Sequence, residues 1–259
     1  MTAQPIPDSP IASAFLPSPN FGERRAHARP DCIILHYTGM PTAEEALALL
    51  RDPASQVSAH YFVWENGEVA QLVAEDKRAW HAGVGSWGGE ADLNSASIGV
   101  EIVNAGHDGA LPPFPRRQID AVVALCRNVA ARRAIRPERI LAHSDVAPAR
   151  KRDPGEKFPW DVLARARVGH WTRPAAITGG RLFAAGQEGP PIRALQAMLA
   201  LYGYGVALTG VYDAQTKAVV AAFQRHFRPV RVDGQADAST IATLRALIDS
   251  LNDKDKDPS

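Results

Sequence analysis

Short apolar runs separated by turn signals fill the first two thirds of the chain, and apolar positions at helical spacing fill the last third. Cys32-Ile33-Ile34-Leu35 reads as a buried strand, and residues 43–51 as a helix that ends before Asp52-Pro53. Residues 60–63 and 68–72 flank Asn66-Gly67, a strong hairpin signal. Residues 97–103 are apolar and β-branched, as a buried strand requires. Residues 118–133 carry apolar side chains at 119, 122, 123 and 126, close to the helical period. Ile140-Leu141 then forms a short strand running into His143. Strands and helices mixed in this order predict an α/β domain, a mixed sheet with flanking helices, over residues 26–175.

Before that domain, residues 1–25 are rich in Pro, Ser and Ala without periodicity and read as an extended segment. After it, Gly and Pro break the pattern, and residues 176–188 read as a linker. The pattern from 189 to 251 is purely helical. Leu195, Met198, Leu199 and Tyr202 share one face, as do Val219, Val220, Phe223 and Phe227. Ile241, Leu244, Ile248 and Leu251 mark a third helix, so a small all-α three-helix domain with its own core is expected. Gly210-Val211-Tyr212-Asp213-Ala214-Gln215-Thr216 recurs 24 residues later as Gly234-Gln235-Ala236-Asp237-Ala238-Ser239-Thr240. An Asp at each helix N-cap explains the repeat, because its carboxylate accepts a bond from an orphan backbone N–H. Residues 252–259 read as a disordered tail.

A chain of 259 residues with 46% hydrophobic residues suits one large core or two smaller ones. Its net charge of +1 gives no electrostatic footprint for nucleic acid. No apolar run reaches the roughly 18 residues of a membrane span. The opening Met1-Thr2-Ala3-Gln4-Pro5-Ile6-Pro7-Asp8 lacks the basic and apolar regions of a secretory signal. Cys32 and Cys126 are too few for a disulfide framework and read as buried free thiols. Both features point to the cytoplasm, with the periplasm or cell wall as the alternative.

The chemistry concentrates in Ala142-His143-Ser144-Asp145 to Lys151-Arg152-Asp153-Pro154-Gly155, and in His36 at the end of the first strand. Two imidazoles and a carboxylate hold a zinc ion while leaving its fourth position open, as a hydrolytic site needs. Taken alone, His36 reads as a core histidine and Asp153-Pro154-Gly155 as a turn; together with His143 and Lys151 they favour a metal site. Glu101 sits in the apolar Ser97-Ile98-Gly99-Val100-Glu101-Ile102-Val103, where an unpaired carboxylate is costly to bury. Beside a zinc site it suits a general base. Lys151 suits a stabiliser of the oxyanion that develops on a substrate carbonyl, its competing reading being one member of a solvated basic run with Arg150 and Arg152.

Five segments then carry a resemblance, in order: Leu35-His36-Tyr37-Thr38, Ser58-Ala59-His60-Tyr61, Ala79-Trp80-His81-Ala82-Gly83, Ser97-Ile98-Gly99-Val100-Glu101, and His143 to Asp153-Pro154-Gly155. The set resembles the zinc-dependent N-acetylmuramoyl-L-alanine amidases of bacterial type 2, and the helical region resembles a peptidoglycan-binding domain. The resemblance implies hydrolysis of the bond between N-acetylmuramic acid and L-alanine in peptidoglycan or muropeptides. It implies one zinc ion on His36, His143 and Asp153, Glu101 as proton acceptor and Lys151 as transition-state stabiliser. His60 and His81 match family histidines near the cleft that are not usually ligands; with Asn94 they are read as binding substrate or supporting the ligands, a purely structural role for the two histidines being the alternative. Related phage amidases and animal recognition proteins carry a Tyr where Ala59 stands, and the phage branch has a Cys where Asp153 stands. Both departures put weight on Glu101 and against a phage endolysin. The alternative is a non-catalytic peptidoglycan-recognition protein; loss of a zinc ligand would favour it, and none is missing. Soluble muropeptide or polymer, and the oligomeric state, stay open at this point.

Overall fold

The structure is a computed structural model that describes residues 6–25, 29–180 and 182–254. Its strands and helices run β1 (Ala14–Phe15), β2 (Phe21–Glu23), β3 (Cys32–Tyr37), α1 (Ala43–Arg51), β4 (Tyr61–Val63), β5 (Val69–Gln71), β6 (Lys77–Ala79), α2 (Leu93–Ala96), β7 (Ser97–Ile102) and α3 (Arg116–Arg133). Then follow β8 (Ile140–Ala142), α4 (His143–Val146), α5 (Trp160–Arg165), α6 (Pro190–Tyr202), α7 (Ala214–Phe227) and α8 (Ala238–Lys254). Six strands form one mixed sheet in the order β1-β5-β4-β7-β3-β8; β2 and β6 pair separately. β3, between β7 and the edge strand β8, runs parallel to both. The expected hairpin is β4–β5, paired antiparallel across Asn66-Gly67. Among the described residues no helix is long and apolar enough to cross a membrane.

Side chains alternate across β3 because successive residues of a strand point to opposite faces. Ile33 and Leu35, with Val100 and Ile102 of β7, face α3 and pack on Ile119, Val122, Cys126 and Val129. Cys32 and Ile34 face the other way, together with Leu141. Position 36 falls on that second face, beyond the apolar pair. The alternation thus delivers a histidine to the sheet end on the side away from α3.

Three expectations need correction. Residues 1–25 are not merely an extended lead-in: β1 joins the main sheet beside β5, and β2 pairs with β6. Arg24 also donates to the backbone oxygens of Glu75, Ser95 and Ser97, fastening the segment behind the site. The helical region is not an independent core on a free linker. Ile34, Trp87, Leu93, Leu141 and Val146 belong to one buried cluster with Ile192, Leu199, Tyr202, Phe223 and Leu247. The 176–188 segment itself pairs with the module, Phe183 opposite Ala236 and Glu188 opposite Val211. Finally, the supposed tail begins inside α8, which reaches Lys254; residues 1–5 and 255–259 lie outside the described residues.

The internal repeat is structural, as its N-caps predict. Asp213 accepts from Thr216 N at 2.7 Å and Asp237 from Thr240 N at 2.8 Å. Each turn is also held by a buried glutamine of the preceding helix. Gln196 accepts from Gly210 N and Gln224 from Gly234 N, satisfying backbone groups that burial would otherwise strand.

Candidate active site

Parallel pairing puts His36 of β3 directly opposite Glu101 of β7, so both side chains leave the sheet on the same face. His143 is the first residue of α4, one residue after β8 ends on the other side of β3. Ser144 N donates to Asp153 O at 3.0 Å, which folds the chain after α4 back beside His143. Three ligand-type atoms meet there. His36 Nδ1 lies 2.9 Å from His143 Nδ1 and 3.1 Å from Asp153 Oδ2, and His143 Nδ1 lies 2.9 Å from that same oxygen.

Hydrogen bonding at the far ends of the rings fixes where the protons sit. His143 Nε2 is 2.9 Å from the Ala82 carbonyl oxygen, which only accepts, so Nε2 carries the proton and Nδ1 presents a lone pair. On the other side, Ser97 donates its hydroxyl proton to Leu93 O, leaving Ser97 Oγ as acceptor for His81 Nε2 at 3.2 Å. His81 Nδ1 must then accept from His36 Nε2 at 3.0 Å, and His36 Nδ1 is bare as well. Burial, then the neighbouring His143, push the His36 imidazole down to about 4; burial also drives His81 well down. Two lone pairs and a carboxylate oxygen within 3.1 Å of one another repel unless a cation lies among them. Among the described residues this is the cluster whose donor atoms are arranged to hold a metal ion.

A cleft of about 430 Å³ opens over the cluster, lined also by Tyr37, Trp80, His81, Glu101, Arg150 and Lys151. Burial, and secondarily the negative charge of Asp153, push the Glu101 carboxyl well above its ordinary value, against the pull of Lys151. A cation on Asp153 cancels the second of these causes. Glu101 Oε2 has no hydrogen-bond partner among the described residues, so an acceptor is held unspent next to the cluster. This arrangement has the parts for metal-assisted hydrolysis: donors for one cation, a free carboxylate oxygen and an ammonium group around one cleft.

The remaining candidates divide. His81 lines the cleft and supports His36 from behind. Asn94 does not line it; its Oδ1 accepts from His81 N and Ala82 N at 3.0 and 2.8 Å and so sets the loop that carries both supports. His60 is fully enclosed, accepting from Gly99 N at 2.9 Å and donating to Lys77 O. Sequence reasoning missed Gly99, although glycine inside a strand signals a close approach. A Cβ there would lie 2.5 Å from the His81 ring. It also missed Tyr37 OH, which is 3.0 Å from His107 Nδ1, while His107 Nε2 is 3.0 Å from Glu156. Those residues are spread over 120 positions and have no shared motif.

Comparison with known proteins decides the family. An N-acetylmuramoyl-L-alanine amidase family model matches residues 26–156, and a peptidoglycan binding domain model matches residues 188–244. N-acetylmuramoyl-L-alanine amidase AmiD of Escherichia coli (strain K12) is 38% identical over 86% of this chain and 84% of its own length. The chain belongs to the N-acetylmuramoyl-L-alanine amidase family. The solved AmiD from E. coli, in complex with the substrate anhydro-N-acetylmuramic acid-L-Ala-D-γ-Glu-L-Lys, superposes with a TM-score of 0.73 at 35% identity, covering 89% of this chain and 98% of that one. AmpDh3 from Pseudomonas aeruginosa superposes with a TM-score of 0.70 at 31% identity, covering 91% and 95%. 1,6-anhydro-N-acetylmuramyl-L-alanine amidase AmpD of Enterobacter cloacae is 33% identical over 58% of this chain and 87% of its own length. The chain thus joins an amidase region to a peptidoglycan binding domain, and the His36–His143–Asp153 cluster lies within the matched amidase region.

Proposed function

We propose that this amidase is a zinc hydrolase of the amide bond between N-acetylmuramic acid and L-alanine, with anhydro-muropeptides as its soluble substrates. The observation that carries the metal is the proton arrangement: both imidazoles turn bare Nδ1 atoms toward Asp153 Oδ2, and nitrogen and oxygen donors with an open face suit zinc. When bound, zinc supplies a Lewis acid that polarises the scissile carbonyl and makes water more acidic. Glu101 then takes a proton from the attacking water at its unpaired oxygen and returns it to the leaving alanine nitrogen. Lys151 offers its ammonium to the oxyanion that forms on the carbonyl. The anhydro-muropeptide substrate is supported by what the AmiD structure binds and by the anhydro specificity named for AmpD. A cytoplasmic enzyme acting on such substrates serves recycling, whereas one in the periplasm or wall trims polymer; fractionation of the native protein separates the two.

Metal analysis of the purified chain, coupled to chromatography of a digested anhydro-muropeptide, tests the proposal. One zinc per chain and release of a peptide with a free L-alanine amine are expected. Peptide release that is unaffected by full removal of the metal would refute it.

A further inference from the structure

The helical module reaches both groups that fix the His143 imidazole. The first is α4 itself. Asp145, two residues after His143, is fully buried, and its carboxylate takes three donors. Ala142 N, at the start of the same turn, lies 2.8 Å from Oδ2. The other two come from the module: Tyr204 OH at 2.7 Å from Oδ1 and His226 Nδ1 at 2.7 Å from Oδ2. The His226 ring is fixed in turn, stacked on Trp160 at 3.7 Å and on Phe227 at 3.8 Å between centroids. The second group is the loop that provides Ala82 O, the acceptor of His143 Nε2. Five residues on, Trp87 packs edge-on against Tyr204 at 4.9 Å, and Gly88 N donates to Gly203 O at 2.8 Å. Only a glycine fits at 203, since a Cβ there would lie 2.5 Å from the Trp87 ring. Between the two, Ser86 N donates to Val146 O, so loop and α4 are also tied to each other.

We propose that Tyr204 and His226 of the peptidoglycan-binding module are positioning residues for the metal ligand His143, acting through Asp145. The physical reason is the cost of a buried carboxylate. Asp145 keeps its place only while donors surround it, and losing one drives the side chain to seek another. Because α4 is a single turn, a shift of Asp145 moves His143 with it. Supports of this kind set metal affinity by holding a ligand in its productive orientation. The module therefore serves the chemistry directly, apart from any hold it has on the wall. This inference rests on the zinc reading above.

The test uses the full chain. Tyr204→Phe keeps the ring against Trp87 and deletes only the hydroxyl. His226→Leu removes the second donor, and His226→Asn restores a donor near the Nδ1 position. Tyr212→Phe is the control: it deletes a buried hydroxyl that donates to Gly234 O at 2.8 Å inside the module, away from α4. Zinc affinity is read by chelator competition, kcat and KM on a soluble muropeptide, and apoprotein stability by thermal melting. Tyr204→Phe and His226→Leu are expected to weaken zinc by about tenfold or more and to lower kcat at unchanged KM. His226→Asn should recover most of the loss, and Tyr212→Phe should lower the melting temperature without touching zinc. Wild-type zinc affinity in Tyr204→Phe and His226→Leu overturns the inference alone, as does an equal loss in Tyr212→Phe. If Tyr204→Phe does not fold, the His226 pair decides. A wild-type chain that takes up no zinc overturns the metal reading, and this inference with it.

Discussion

Gly99→Ala is the sharpest single test of how the cluster is held. Gly99 lies in β7 two residues before Glu101, and a Cβ built on it falls 2.5–2.6 Å from three atoms of the His81 ring. Ordinary carbon contacts need about 3.5 Å, so the ring must retreat by about 1 Å. It has little freedom to do so. Its backbone N–H is fixed on Asn94 Oδ1 at 3.0 Å, its Nε2 on Ser97 Oγ, and the His60 ring stands behind it at 5.6 Å between centroids. The movement is taken up at the 3.0 Å bond from His36 Nε2, which holds that ligand's tautomer. Overpacking of this kind costs about 1–3 kcal/mol of stability. Losing the support should cost about 10- to 100-fold in metal affinity. Chelator competition for zinc, with thermal melting of metal-free protein alongside, measures the two effects separately. Gly99→Ala protein that binds zinc as tightly as wild type would refute the chain of protons drawn from Leu93 to His36.

Glu101→Gln should keep zinc and lower kcat by roughly 100-fold or more, because shape survives while the base is lost; zinc analysis and muropeptide turnover on the same sample decide. Lys151→Ala should likewise spare zinc and lower kcat, with normal turnover removing Lys151 from the mechanism. Burial, and then the charge of Arg24, push the His60 imidazole down to about 3. Its folded value lies below the unfolded one near 6.5, so the unfolded chain binds more protons in the window between, and stability falls as pH drops from 6.5 toward 3. The slope from this group is at most about 1.4 kcal/mol per pH unit, and denaturant titrations from pH 7 to 5 should be flatter in His60→Asn than in wild type. Deleting residues 176–259 should give an insoluble or non-cooperative chain, since Ile34, Trp87, Leu141 and Val146 would lose their cover; a soluble fragment with full zinc affinity would count against the shared core.

What the sequence exposes depends on the range of the physics involved. His36, His143, Asp153 and Glu101 are legible because their signals are local: polar residues at the ends of apolar strands, where burial demands a reason. Periodicity finds the three helices of the module for the same cause. It shows which face of a helix is apolar, but not what that face meets. Leu195, Leu199 and Phe223 read as a private core, and they instead share a cluster with Ile34 and Leu141. Two of the residues that close the junction, Trp87 and Tyr204, sit in glycine-rich turns where no period exists to read.

The supports of the site are harder still to read, because their meaning lies in the direction of hydrogen bonds. His60 and His81 are the same residue type in similar settings, yet one faces backbone and the other a ligand. Ser97 orients a proton three groups away only because Leu93 O accepts and cannot donate. Asp145 stands two residues from a metal ligand but points away from the metal, toward Tyr204 and His226. A carboxylate so placed is easily taken for a ligand or a helix cap in sequence. In the fold it shows that the ligand-bearing turn is held from outside the amidase region. The AmpD of E. cloacae matches 58% of this chain. A module that both covers the sheet and completes the donors around Asp145 cannot be exchanged here as a detachable wall anchor.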